Sequence, residues 1–183
     1  MSGLTLPELE ARLDAVRASP ADGGTLELIV SRPVEEERVL MREAVLDAEQ
    51  GLLGDMWSVR PSSSTDGGGP DPDAQVTVMS ARLATLIAGP EHERWAQAGD
   101  QLYVDLDLSQ DNLPPGSRLA IGEAILEITA SPHLGCGKFS RRFGVDALKL
   151  VNSNVGRALR LRGLNARVVR PGTVTVGDQV LKA

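Results

Sequence analysis

The sequence predicts a mainly β fold with short helices, of the α+β class. Short stretches of alternating apolar residues recur along the chain, Gly- and Pro-containing turns separate them, and no helical periodicity lasts beyond a few turns. That combination favours a barrel or a curled sheet. With 183 residues and 42% hydrophobic content the chain can bury one real core, and with only 3% aromatics that core must be built from Val, Leu, Ile and Ala.

The elements follow in order. Thr5 and Glu8 form a capping-box pair, and Leu6, Leu9, Leu13 and Val16 mark one face of a helix that Ser19-Pro20 ends, so residues 1–24 read as an N-terminal helical extension. Residues 25–183 then read as the β domain. "TLELIVSR" (25–32) alternates, placing Leu26, Leu28 and Val30 on one side of a strand, and "ERVLMREAVLD" (37–47) predicts another strand. "PSSSTDGGGPDPD" (61–73) has no periodicity and predicts a flexible surface loop. After "AQVTVMS", Ser80 caps a short helix and Pro90 begins a second. "QLYVDLDLS" (101–109) is a strand, and "RLAIGEAILEITA" (118–130) is a pair of strands about a Gly122-Glu123 turn. Residues 146–163 predict two short helices broken near Asn152-Ser153 and stopped by Gly163, with two or three strands to follow.

Composition narrows the function. The N-terminus has no basic region ahead of an apolar run, and no stretch approaches the ~20 apolar residues of a membrane span. A single cysteine excludes an intrachain disulfide and a Cys-rich metal site, so a reducing cytoplasmic setting is expected. Net charge is −6, yet residues 128–177 carry nine Lys or Arg against one acid, Asp146. Such a split predicts a surface that meets an anion, the alternative being separately solvated arginines. Nucleic acid is not expected as that anion, because only five aromatic residues are available for stacking.

The chemistry concentrates in "SPHLGCGKFSRRFG" (131–144). Gly135 and Gly137 flank Cys136 and leave room for a visitor to approach the sulfur. Lys138, Arg141, Arg142 and His133 favour the thiolate, the form that attacks or ligates metal. The alternative is a buried cysteine acting as a small hydrophobe. His133 either stabilises the loop or lines the site, and His92 reads as exposed. Phe139 and Phe143, four apart, share a helical face and read as buried. Neither a phosphate-loop nor a dinucleotide-binding glycine motif is present.

"GLLGD" (51–55), "ILEITASPHLGCGKFSRRFG" (125–144) and "LRLRGLNARVVRPGTVTVGDQV" (159–180) together resemble the MOSC domain, the C-terminal domain of molybdenum cofactor sulfurases, in its stand-alone bacterial type. The resemblance spans about residues 25–182. It implies a MOSC-type β-barrel, similar to the pyruvate kinase barrel domain, and a pterin-bound molybdenum cofactor. Carried onto this chain, it makes Cys136 the metal ligand or a persulfide sulfur carrier, in sulfur transfer or in reduction of N-hydroxylated compounds. Lys138, Arg141, Arg142 and Arg162 become candidates to hold the cofactor, with His133 beside them, and Asn165 to bond its pterin edge. An external sulfur donor or redox partner protein is implied, and no pyridoxal phosphate is expected on this chain. Where many members carry a basic residue or histidine after the Gly-Asp step, this chain has Met56-Trp57, with Arg60 as a substitute. Two other functions stand beside this one: a non-catalytic anion- or nucleotide-binding module using residues 128–177, and a thiol enzyme without metal.

Overall fold

A computed structural model describes residues 3–183. Two short helices, α1 (Leu6–Glu10) and α2 (Leu13–Arg17), open the chain. The capping box forms as expected, Thr5 N donating to Glu8 Oε2 at 2.8 Å. The expected single helix is divided, because the backbone tightens to three-residue hydrogen bonds, Arg12 N to Leu9 O at 3.1 Å and Ala15 N to Arg12 O at 3.3 Å.

Next come β1 (Gly24–Ser31), β2 (Val39–Met41), β3 (Glu43–Asp47), β4 (Gly51–Leu52) and β5 (Val76–Ser80). The predicted 37–47 strand is thus two strands, which serve different sheets. Helices α3 (Ala81–Ala88) and α4 (His92–Trp95) carry the chain to β6 (Leu102–Asp105). His92 is half-buried rather than exposed, its ring 4.5 Å from that of Trp95. The strands β7 (Arg118–Ile121) and β8 (Ala124–Ile128) form the expected hairpin. Three helices follow, α5 (Gly137–Phe143), α6 (Val145–Asn152) and α7 (Asn154–Ala158), and then β9 (Leu164–Arg170), β10 (Gly172–Thr175) and β11 (Gln179–Lys182).

Seven strands close into a barrel in the order β11-β7-β8-β9-β5-β6-β1, with β1 pairing back to β11. β2 extends from β1, and β10-β3-β4 form a small separate sheet. Closure removes the exposed edges that an open sheet would carry. Leu26, Ile29, Val76, Val78, Leu102 and Val104 pack in the barrel cluster, while Leu28, Val30, Met79 and Tyr103 pack in a second cluster with the helices. The central strands β5 and β6 are therefore covered on both faces, by the barrel interior on one and by the helices on the other.

The placement of Leu26, Leu28 and Val30 on one side does not hold. The β1–β6 register shifts between Leu26 and Leu28, a bulge that sends Leu26 to the barrel and Leu28 and Val30 to the outer layer. The 61–73 segment is described as a turn-rich loop tied by Ser62 N to Gly69 O at 3.0 Å and by Ser64 Oγ to Asp71 Oδ2 at 2.8 Å.

Gly163 sits where the chain enters β9, at φ +109°, and a Cβ there would come 2.5 Å from the Val78 carbonyl oxygen. Gly163→Ala is expected to cost about 2–4 kcal/mol in denaturant unfolding, from positive-φ strain plus overpacking.

Candidate functional site

β8 ends at Ile128, and the chain crosses without regular structure to Cys136 before α5 begins. Three side chains pin this crossing. Asn152 clasps Gly135, accepting from its N–H at 2.9 Å and donating to its carbonyl at 3.0 Å. Asn165 Nδ2 donates to the carbonyls of Ser131 and Pro132 at 3.1 and 3.3 Å. His133 Nε2 lies 2.8 Å from Asp100 Oδ1.

The two glycines beside the thiol differ. A Cβ on Gly135 would meet Leu148 Cδ1 at 2.7 Å and Val151 Cγ2 at 2.9 Å, so α6 already fills the space expected to admit a visitor. On Gly137 the nearest atom would be Arg141 Nη1 at 3.7 Å, which leaves that flank of the sulfur open.

Cys136 is exposed and caps α5 in extended geometry. Partial burial pushes its thiol pKa up. The backbone N–H groups of Phe139 and Lys138 in the first turn of α5 and the charges of Arg162 and Arg142 outweigh that, and the net shift is downward.

Behind the thiol lies Asp100, with no exposure at all. Its carboxylate accepts from His133 Nε2 and, through Oδ2, from Arg162 Nη1 at 2.6 Å. Burial alone would push this carboxyl up; Arg162 and His133 reverse that and keep it well below the usual carboxylate range. Burial, and then the Arg162 charge, push His133 down despite Asp100 beside it. At neutral pH the imidazole is therefore uncharged. With an ionised carboxylate opposite, its Nε2 must carry the proton, leaving Nδ1 a free acceptor.

Four guanidiniums converge here on four consecutive carbonyls of the turn that follows α4. Arg38 Nε bonds Ala96 O at 3.2 Å, Arg142 Nη1 bonds Gln97 O at 2.8 Å, Arg162 Nη2 bonds Ala98 O at 2.8 Å, and Arg32 Nη1 bonds Gly99 O at 2.9 Å. The unpaired carbonyls at a helical C-terminus are natural partners for such cations. Together with Cys136 and His133 they surround a cavity of about 580 Å³.

Most of this positive charge is countered from within the chain. Arg32 pairs with Asp55 at 2.8 Å, Arg162 with Asp100 at 2.6 Å, Lys138 with Glu35 at 2.6 Å and Glu36 at 3.2 Å, and Arg142 with Glu36 at 2.5 Å. Glu36 is at φ +65°, on the segment between β1 and β2. Among the described residues Arg38 has no carboxylate within ion-pair distance, and the Nε of Arg162 is buried without any partner.

Of the residues singled out in the sequence, Cys136, His133, Lys138, Arg142 and Arg162 line this cavity, as does Arg60. Arg141 and Asn165 do not, and Asn165 instead braces the crossing from behind. Of the nine basic residues of 128–177, Lys138, Arg142 and Arg162 line this cavity, while Arg167 pairs with Glu127 at 2.6 Å and Lys149 with Asp146 at 3.5 Å. Sequence reasoning missed Arg32, Arg38, Asp100, Glu35 and Glu36. One signal was available: Gly54-Asp55 and Gly99-Asp100 are the same dipeptide, and in both the buried aspartate grips an arginine.

Three outcomes are expected. Thiolate absorbance of Cys136 should show a midpoint below the ordinary thiol value of about 8.5. Asp100→Asn should lose about 3–5 kcal/mol in urea unfolding, because the Arg162 charge is left buried without its partner. Because the folded state keeps His133 neutral, the unfolded chain takes up that proton first as pH falls through about 6.5. Stability should therefore decline below that pH, and His133→Asn should flatten the decline in denaturation curves taken from pH 8 to pH 5.

The MOSC domain family model matches residues 70–181. Among solved structures, the YuaD protein from Bacillus subtilis superposes with a TM-score of 0.63 at 18% identity, over 86% of this chain and 93% of that one. YiiM from Escherichia coli superposes at 0.55 with 21% identity, over 87% of this chain and 69% of that one. At these identities the structural likeness concerns the fold. No curated protein matches the sequence significantly. The matched family model extends over the barrel strands from β5 to β11, the crossing and its cysteine, and on that basis the chain belongs to the MOSC domain family.

Proposed function

We propose that this MOSC protein binds the molybdenum cofactor in the Cys136 cavity, with the Cys136 sulfur as metal ligand or as persulfide carrier. One observation carries the reading: an exposed, acid-shifted thiol opens on the same 580 Å³ cavity as Arg38 and Arg162. A thiolate is a soft ligand suited to molybdenum, and guanidiniums form charge-assisted bonds to phosphate. Two features fit an anionic guest. Arg38 lacks a carboxylate, and the buried Nε of Arg162 lacks any acceptor. Among the described residues no group of three or more His, Cys, Asp or Glu could hold a metal ion, so in this reading Cys136 is the one ligand the chain supplies.

When bound, the cofactor would supply two-electron redox chemistry at the metal or a site for sulfur exchange. The chain's own residues supply the rest. Cys136 offers an acid-shifted thiol at the start of α5, favoured as thiolate by the nearby backbone N–H groups of Phe139 and Lys138. Arg38, Arg142 and Arg162 bind and orient an anion. His133 Nδ1 can take up a proton at the cavity wall while Asp100 fixes its tautomer. Substrates of the N-hydroxylated class, or an acceptor of sulfur, would meet this thiol from the open flank beside Gly137. A redox partner or sulfur donor protein is required from outside, and the protein would work in the cytoplasm; none of the described helices is long and apolar enough to cross a membrane.

Glu35 and Glu36 occupy the cations that an incoming phosphate would use, so they must give way. After co-expression with cofactor synthesis, the purified protein is expected to retain molybdenum and pterin, and Cys136→Ser to retain several-fold less. Glu36→Gln is expected to retain more than the parent, since it frees Arg142 from an opposing charge. Equal retention by Cys136→Ser and the parent would favour a non-catalytic anion-binding module.

A further inference from the structure

Next to the Cys136 cavity lies a second one, of about 610 Å³, that shares His133, Leu134 and Arg162 with it as a common wall but does not include Cys136. Its volume falls within the ordinary range of small-molecule sites, about 300–1,000 Å³. Its distinguishing feature is cationic. Arg157 and Arg160 line it alongside Arg162, against a single exposed acid, Asp111.

Neither Arg157 nor Arg160 has a carboxylate within ion-pair distance among the described residues. Arg157 is exposed and uses only its Nε, bonding Asn152 O at 3.1 Å. Arg160 is half-buried, at φ +47°, and its Nη1 bonds the carbonyls of Leu113 and Leu108 at 2.6 and 3.4 Å. Carbonyl dipoles orient this guanidinium without neutralising it. A partly desolvated charge with no counter-ion is costly, and an anion in the cavity would offset that cost. The two most buried arginines do have counter-ions, Asp55 for Arg32 and Asp100 for Arg162, whereas half-buried Arg38 in the first cavity shares the lack of one among the described residues. Pro115, Pro132 and Val151 supply apolar wall, so the site suits an anion with an organic body rather than a bare ion.

We propose that this second cavity binds a small organic anion, bearing a carboxylate or a phosphate, through Arg157 and Arg160. The site stands independently of the role assigned to Cys136. It is placed to set a second molecule against the His133–Arg162 wall while the first cavity is occupied.

The test titrates the full chain with phenyl phosphate and with benzoate, following backbone amide shifts. The expected result is saturable shifts at Gln110, Gly156 and Arg157. Arg157→Gln, a change at an exposed position, should weaken binding by about tenfold, as loss of a hydrogen bond to a charged group does. Cys136→Ser should leave it unchanged. Absence of saturable binding by both probes would overturn the proposal. So would shifts confined to Gly137 and Lys138 that Arg157→Gln does not alter. Because Cys136→Ser cofactor retention tests the other cavity, either proposal can fail while the other stands.

Discussion

The carboxylate of Asp100 has no contact with water and two obligatory partners, Arg162 and His133. A lone charge so buried costs several kcal/mol, and only good geometry with both partners returns it. Each partner belongs to a different part of the chain: Asp100 precedes β6, His133 lies on the crossing from β8 to α5, and Arg162 leads into β9. One ionised group thereby joins the three segments that surround the thiol. Once Arg162 is fixed beside Phe139, 5.1 Å from its ring centre, α5 and the Cys136 sulfur at its start are placed as well.

Around this centre the protein manages a concentration of positive charge that would otherwise repel itself. The carbonyls of Ala96 to Gly99 each receive one guanidinium, and carboxylates that are buried or lie on the segment between β1 and β2 cancel most of the net charge. The division is informative. Asp55 and Asp100 are buried and permanent, whereas Glu35 and Glu36 are exposed and cost little to displace. Under the proposed function, the exposed pair are the carboxylates that an incoming phosphate would displace. In the second cavity, Arg157 and Arg160 have no such counter-ions among the described residues, which leaves their charge for the anion proposed there.

Signals local in the sequence were legible. The Gly122-Glu123 hairpin, the break at Ser153 and the paired Phe139 and Phe143 all depend on neighbours within a few residues. Relations that depend on closure of the barrel were not. Arg32 and Asp55 are 23 residues apart, and Arg162 and Asp100 are 62 apart. Nothing in "AQAGD" signals that its carbonyls collect four arginines. The bulge in β1 was likewise hidden, because Leu26, Leu28 and Val30 fit a regular alternation that only pairing with β6 interrupts. Gly135 shows the opposite error: a glycine beside a reactive cysteine invites a functional reading, and its neighbours on α6 supply a packing one.

An ionised Asp100 fixes a neutral His133 with its proton on Nε2. Two-bond proton–nitrogen correlation spectra of the imidazole report this directly. The expected spectrum at pH 7 is the Nε2–H tautomer with an unprotonated Nδ1, persisting below the ordinary histidine midpoint of about 6.5. An imidazolium at pH 7, or a proton on Nδ1, would contradict it.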